Sequence, residues 1–322
     1  MRRALVIGGT GLIGGAITRH LIAAGWRVTA TGRRERPVPS GATLLLADHD
    51  TLPTGAYDLV VDAACYTAEH ARRVLPLMRD AGSAVMISSR AVYVDADGNH
   101  VNSAVPPHFD GPVTEEQPTL PPGDMDHDSA EGYGPNKVAA ERVLLDSGAP
   151  VTVLRPSKVH GAGSNPPRTW WFLRRALDRR PFVLLAGGGR GVDQTSAAVN
   201  IATLVECVAD RPGARILNAA DPDAPDGLTI SRVLAGLAGH TWEEIAVPGD
   251  GELGRHPWHR VEPFVLDTTA AERLGHRPAG DFAATVTDEA GWVLRSRPGD
   301  PGGWFDYPAE DAWVRTASRL DM

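Results

Sequence analysis

The chain has 322 residues, 42% of them hydrophobic, which is enough to bury the core of one large α/β domain with a smaller lobe, or of two domains sharing a core. Its formal charge of -8 argues against a dedicated nucleic-acid binder, because affinity for phosphate backbones comes mainly from clustered Lys and Arg. Only Cys65 and Cys207 occur, so neither a disulfide framework nor a cysteine-based metal site is encoded, and a reducing, cytoplasmic compartment is expected.

Met1 to Ile7 runs straight into glycines without the apolar stretch and cleavage site of a secretory signal, and nothing else approaches a membrane span. Ala4 to Ile7 reads as a buried strand, Ile13 to Ala24 as a helix, and Trp26 to Thr31 and Ala42 to Leu46 as strands, each bounded by Gly or Pro. The alternation continues through Leu59 to Ala63, Ala68 to Ala81, Ala84 to Ser88, Tyr133 to Leu145 and Val151 to Leu154. Strand, helix, strand in that order predicts a doubly wound parallel sheet covered on both faces.

From about Gly161 the rhythm breaks. Trp170, Trp171 and Phe172 open a helix, and Gly187 to Gly191 form a loop. Ile216 to Asn218 reads as a strand returning to the first domain. The expected division is therefore a dinucleotide-binding domain over 1–162 with a returning segment at about 192–220, and a smaller substrate lobe and tail over 163–191 and 221–322. Trp304 to Trp313 carries apolar side chains that are costly to leave in water, so the tail is expected to fold back or to dock on a partner subunit.

Directly after the first strand comes Gly8-Gly9-Thr10-Gly11-Leu12-Ile13-Gly14, opening into the helix. Glycine permits a tight turn and close backbone approach, and the exposed helix N-terminus supplies N–H donors and partial positive charge, a combination suited to a pyrophosphate. At the end of the second strand, an Asp or Glu would take a free ribose 2′-hydroxyl. Thr31-Gly32-Arg33-Arg34 instead puts two guanidinium groups where a 2′-phosphate would sit, which favours NADP over NAD. Asp48, after the next strand, is a candidate for the adenine edge or for capping its own loop.

Tyr133 and Lys137 stand four residues apart, on one helix face. A free tyrosine, with a pKa of about 10, exchanges protons poorly near neutrality unless a cation stabilises its phenolate, and Lys137 can supply that cation. Ser88 and Ser89 close the strand from Ala84, at the sheet end where open parallel sheets bind ligands.

These features resemble the extended short-chain dehydrogenase/reductase family, the NAD-dependent epimerase/dehydratase group. The likeness runs from about Arg2 to Leu294 and rests on the spaced-glycine loop, Ser88-Ser89-Arg90-Ala91-Val92-Tyr93, Tyr133-x-x-x-Lys137 and Leu154-Arg155-Pro156-Ser157-Lys158-Val159-His160-Gly161. The resemblance implies that Ser89 orients the substrate oxygen, Tyr133 is the general acid/base and Lys137 also holds the nicotinamide ribose. Pro156, Ala63, Ala64 and Ser88 would border the cofactor, and Tyr93, Lys158 and His160 the substrate.

Family dehydratases carry an Asp-Glu pair where this chain has Arg90 and Ala91, so water elimination by that route is not expected. Lys158 stands where sugar-nucleotide epimerases usually have Asn, Asp193 near their usual Arg, and Asn200 replaces a common Asp. The Asp62 to Thr67 stretch resembles a divergent branch that includes RNA-associated relatives, so a non-catalytic dinucleotide sensor or RNA-associated protein is the alternative. Asp124-Met125-Asp126-His127-Asp128 reads as a solvated acidic loop rather than a metal site, inside an insertion over 95–131 able to act as a lid. The expectation is an NADP- or NAD-dependent oxidoreductase, reductase, dehydrogenase or epimerase, acting on a polar small molecule, with no metal and with a homodimer implied by the resemblance.

Overall fold

The computed structural model describes residues 1–320 and divides the chain into two compact units. The first comprises Met1–Gly161, Gln194–Asp223 and Phe264–Thr285; the second comprises Ala162–Asp193, Ala224–Pro263 and Val286–Met322. In chain order the first unit begins β1 (Arg3–Ile7), α1 (Leu12–Ala23), β2 (Arg27–Gly32), β3 (Thr43–Leu46), β4 (Leu59–Asp62) and α2 (Ala68–Asp80). It continues with β5 (Ser83–Ile87), α3 (Ala130–Leu145), β6 (Val151–Pro156) and β7 (Lys158–His160). After α4 (Trp170–Leu177) and β8 (Phe182–Ala186) of the second unit, the chain returns as β9 (Thr195–Ala197), α5 (Ala198–Ala209) and β10 (Arg215–Ala219). There follow α6 (Gly227–Leu237), β11 (Glu243–Val247), α7 (Thr269–Arg273), α8 (Phe282–Ser296) and α9 (Tyr307–Leu320).

The first unit is built on a seven-stranded parallel sheet of order β10-β6-β5-β4-β1-β2-β3, a Rossmann-like doubly wound arrangement. Side-chain alternation explains its two layers. Ala4 and Val6 of β1 turn to the face packed by Ile17 and Leu21 of α1 and Leu204, Val205 and Val208 of α5. Leu5 and Ile7 turn to the face packed by Ala71, Val74 and Met78 of α2 and Ala140 and Leu144 of α3. β1 pairs with both β2 and β4, so the chain winds away in opposite directions from this strand and leaves a crevice beyond its carboxyl end. Beside the main sheet, β7 pairs in parallel with β9.

In the second unit β8 and β11 form a parallel pair. The tail folds back on α4: the Arg175 guanidinium donates to the Trp304 carbonyl at 2.7 Å and to Glu310 Oε1 at 2.6 Å. Trp170 and Trp171 are buried there, Trp171 edge-on to Phe172 at 4.7 Å. Among the described residues no helix is long and apolar enough to cross a membrane.

Candidate active site

The glycine loop forms the floor of a cavity of about 700 Å³ at the carboxyl end of β1. Gly8 takes a φ of +75°, open to glycine at no steric cost, and its carbonyl accepts the Gly11 N–H at 3.0 Å. A Cβ on Gly14 would lie 2.3 Å from the Gly8 oxygen, so helix α1 can approach the loop this closely only with glycine there. Gly11 caps α1 without any side-chain acceptor, leaving the first helical N–H groups to a ligand or to water. The walls include Thr10, Arg33, Arg34, Asp48, Ala63 and Ala64, so glycine loop, basic turn and β4 end meet in one space.

Helix α3 is started by Ser129, whose hydroxyl accepts the Gly132 N–H at 2.9 Å, and it carries Tyr133 and Lys137 one turn apart. Lys137 is 3% exposed, and its ammonium donates to the carbonyls of Cys65 at 2.7 Å and Ile87 at 3.0 Å. A buried ammonium requires such partners, and here they come from the ends of β4 and β5. Its Nζ lies 5.7 Å from the centre of the half-buried Tyr133 ring and 4.4 Å from that of Tyr66. The two adjacent serines differ. The Ser88 hydroxyl donates to the buried Glu141 carboxylate, whereas the half-buried Ser89 Oγ accepts the Ala91 N–H at 3.1 Å.

The model of the NAD dependent epimerase/dehydratase family matches residues 4–218. The chain belongs to this family. No curated protein sequence matches it. Among solved structures it is similar to UDP-N-acetylglucosamine 4-epimerase from Bacillus cereus, with a TM-score of 0.69 at 16% identity over 92% of this chain and 100% of the other. It is also similar to UDP-glucuronic acid 4-epimerase from Bacillus cereus, solved with UDP-glucuronic acid and NAD, with a TM-score of 0.64 at 15% identity over 91% of this chain and 99% of that one. A third is dTDP-glucose 4,6-dehydratase from Bacillus anthracis str. Ames in complex with NAD, with a TM-score of 0.66 at 14% identity over 92% and 98% of the two chains. At these identities the likeness is one of fold.

The other residues singled out in this epimerase/dehydratase family chain are distributed as follows. Leu12 and Ile13 open α1, and Pro156 closes β6 in register with Ala219 of β10. Arg33 and Arg34 are exposed on the cavity rim, and Asp48 accepts from the Asp50 N–H at 3.0 Å and the Thr51 hydroxyl at 3.0 Å, capping its own loop. Tyr93 is fully buried and donates its hydroxyl to Asn218 Oδ1 at 2.7 Å, tying it to β10. Burial pushes its phenol up to about 12, against the pull of the neighbouring Arg155. Lys158 is half-buried on β7. His160 is 1% exposed, its Nε2 lying 3.0 Å from Asp221 Oδ2.

Sequence reasoning did not anticipate a group of rings on the cavity wall. His49, His70 and His127 come from three separate segments. His49 stacks on His70 with centroids 4.2 Å apart and 8° between planes, and His127 stacks on Tyr66 at 5.4 Å. His49 Nε2 is 2.7 Å from the buried Asp62 carboxylate. The acidic insertion thus sends His127 and Asp128 into the cavity wall, and among the described residues no cluster of His, Cys, Asp or Glu has the arrangement of a metal site.

Proposed function

We propose that this chain is a nicotinamide-dinucleotide oxidoreductase that interconverts a secondary alcohol and a ketone, as a reductase, dehydrogenase or epimerase, on a polar small molecule. The observation that carries this reading is the buried Lys137 ammonium, held by two carbonyls beside the Tyr133 ring and 4.4 Å from the ring of Tyr66, which lines the glycine-built cavity. The cavity suits the group: a Gly14 Cβ would collide with the Gly8 carbonyl, so the loop is built for close backbone approach, and the uncapped α1 terminus offers N–H donors. In this reading Gly8 to Gly14 hold the pyrophosphate, Arg33 and Arg34 the 2′-phosphate of NADP, and Ala63, Ala64, Pro156 and Asp48 line the remainder.

The dinucleotide, when bound, supplies the hydride acceptor or donor. The protein does the rest. Ser89 donates a hydrogen bond from its hydroxyl to the substrate oxygen and orients it. Tyr133 takes up or delivers the proton at that oxygen, and the Lys137 ammonium stabilises the negative charge that develops on the phenolic oxygen meanwhile. Ser88 is not the orienting residue, because its hydroxyl is committed to Glu141. The UDP-glucuronic acid bound by one of the similar structures supports a polyhydroxylated substrate, and Lys158 is the chain's candidate for an anionic group upon it.

The test is a fluorescence titration with NADPH and NADH, with turnover of candidate alcohols and ketones followed in wild type and Tyr133→Phe. The variant is expected to keep its dinucleotide affinity and to lose activity by at least a hundredfold, the scale of a lost acid/base group. Unchanged turnover would remove Tyr133 from the mechanism. Arg33→Ala is expected to weaken NADPH at least tenfold while leaving NADH alone. Tighter binding of NADH by wild type, with no effect of the substitution, would reassign the cofactor to NAD.

A further inference from the structure

The Cys65–Tyr66 peptide group is held at both ends. Its carbonyl accepts the Lys137 ammonium at 2.7 Å, and its N–H, that of Tyr66, donates to His70 Nδ1 at 3.2 Å. A peptide unit is planar and stiff, so the two bonds fix one plane, and an end released at His70 is felt at Lys137. The local sequence explains the geometry. Thr67 caps α2 by accepting the His70 N–H at 3.2 Å, and His70 sits three residues on, where a capping box has Glu or Gln reaching back to the chain before the helix. A Glu in that role remains an acceptor near neutral pH, whereas a histidine is an acceptor only while the nitrogen is unprotonated.

We propose that His70 is a positioning residue for Lys137, and that its neutral ring, by accepting the Tyr66 N–H, holds the Cys65 carbonyl against the ammonium. This rests on the reading of Lys137 given under the proposed function. A proton on Nδ1 turns the acceptor into a donor facing another donor, which frees the peptide plane and loosens the seat of Lys137.

The surroundings oppose that proton. Burial acts first, holding His70 below its ordinary value near 6.5, and the rings of His49 and His127 and the Lys137 ammonium add to it, with only the Asp62 carboxylate pulling the other way. From the packed elements the groups facing His70 are His49 and Asp62 at the ends of β3 and β4, Tyr66 before α2, His127 from the insertion, and Lys137 of α3; Glu69 and Arg73 beside it on α2 pair with each other at 2.8 Å. The clamp is therefore intact at neutral pH and opens only as the pH falls through the lowered value of His70.

The test is an NMR titration of the free, full-length protein from pH 8 to pH 5, following the Tyr66 amide and the Lys137 ε-methylene signals. Both are expected to move with one shared midpoint below 6.5. In His70→Asn, whose amide oxygen accepts at every pH, both should stay flat; His70→Gln serves the same purpose should the Asn variant fail to fold. A Lys137 signal that does not follow Tyr66, or the same titration in the amide variants, would overturn the proposal. A parallel titration with NADH, which has no 2′-phosphate to titrate in this window, should show affinity falling severalfold over the same pH range in wild type but not in the variants. Absence of dinucleotide binding at any pH would sink the functional reading, and the free-protein titration would still decide the clamp.

Discussion

Glu141 grips Arg155 at two points, Nε to Oε1 at 3.0 Å and Nη2 to Oε2 at 2.5 Å, with both side chains buried. Glu141 lies one turn beyond Lys137 on α3, and Arg155 lies on β6, so the pair bolts the helix carrying Tyr133 and Lys137 to the strand between β5 and the edge strand β10. The same carboxylate takes the Ser88 hydroxyl, and the guanidinium sits 4.8 Å over the Tyr93 ring, whose hydroxyl reaches Asn218. Four elements are thereby joined.

Breaking one partner of that pair leaves an uncompensated buried charge. Glu141→Gln or Arg155→Met alone should lower unfolding stability by about 3 to 5 kcal/mol, read as a drop in the urea midpoint at unchanged slope. The double variant Glu141→Met with Arg155→Met, which removes both charges, should recover much of that loss. A double variant as unstable as the sum of the two would show that the pair does not act as a unit.

The neighbours Gly14, which closes the spaced-glycine loop, and Gly15, which lies outside it, differ in the space around them. A Cβ on Gly14 would stand 2.3 Å from the Gly8 oxygen and 2.9 Å from the Gly9 Cα, all backbone, whereas one on Gly15 meets the Gly9 oxygen at 3.6 Å, an ordinary contact. Gly14→Ala should therefore displace the loop, costing about 1 to 3 kcal/mol and weakening NADPH at least tenfold. Gly15→Ala should be neutral or stabilising by up to about 1 kcal/mol, because alanine is the better helix former. Thermal unfolding and a cofactor titration on both variants check this, and equal behaviour would refute the steric account.

That contrast marks how far the sequence alone reaches. The strands of the main sheet were legible as short apolar runs, of which β1, β2 and β6 close at Gly or Pro, and β1, β2, β4, β5 and β6 fall within a residue or two of expectation. The glycine loop and the Tyr133/Lys137 pair were legible because each lies within a few consecutive residues. The resemblance already set Ser89 apart from Ser88, but the bond that commits Ser88 was not legible, since it depends on Glu141, more than fifty positions away. The ring cluster of His49, His70 and His127 is assembled by topology from three segments. The return of Phe264–Thr285 to the first unit likewise carries no local signal, and β7 and β9 are only three residues each.

Asp221, just beyond β10, is a hub of the same non-local kind. Its carboxylate accepts the Thr195 hydroxyl at 2.6 Å, the Ala197 N–H at 2.6 Å and the Asn200 amide at 2.8 Å, and His160 Nε2 lies 3.0 Å away. Asn200 fits this: its amide donates to Asp221 while its oxygen accepts the Ala279 N–H at 2.7 Å, and a carboxylate in its place would face that of Asp221. Burial alone would raise the Asp221 pKa, but the bonds from His160, Ala197 and Thr195 prevail and hold it below the usual carboxylate range. The folded state thus favours the ionised form, so this group contributes stability above an unfolded value of about 3.9 and loses it as the pH falls through the lower folded value. Asp221→Asn, which turns an acceptor into a donor facing other donors, should cost about 2 kcal/mol or more at pH 7. The gap between wild type and variant should narrow as the pH falls below about 4, where the unfolded chain takes up a proton that the folded wild type still resists. Urea unfolding of both proteins at pH 7 and pH 3 measures it, and a gap that stays constant, or widens in acid, would mean that the ionised carboxylate is not what the bonds around Asp221 stabilise.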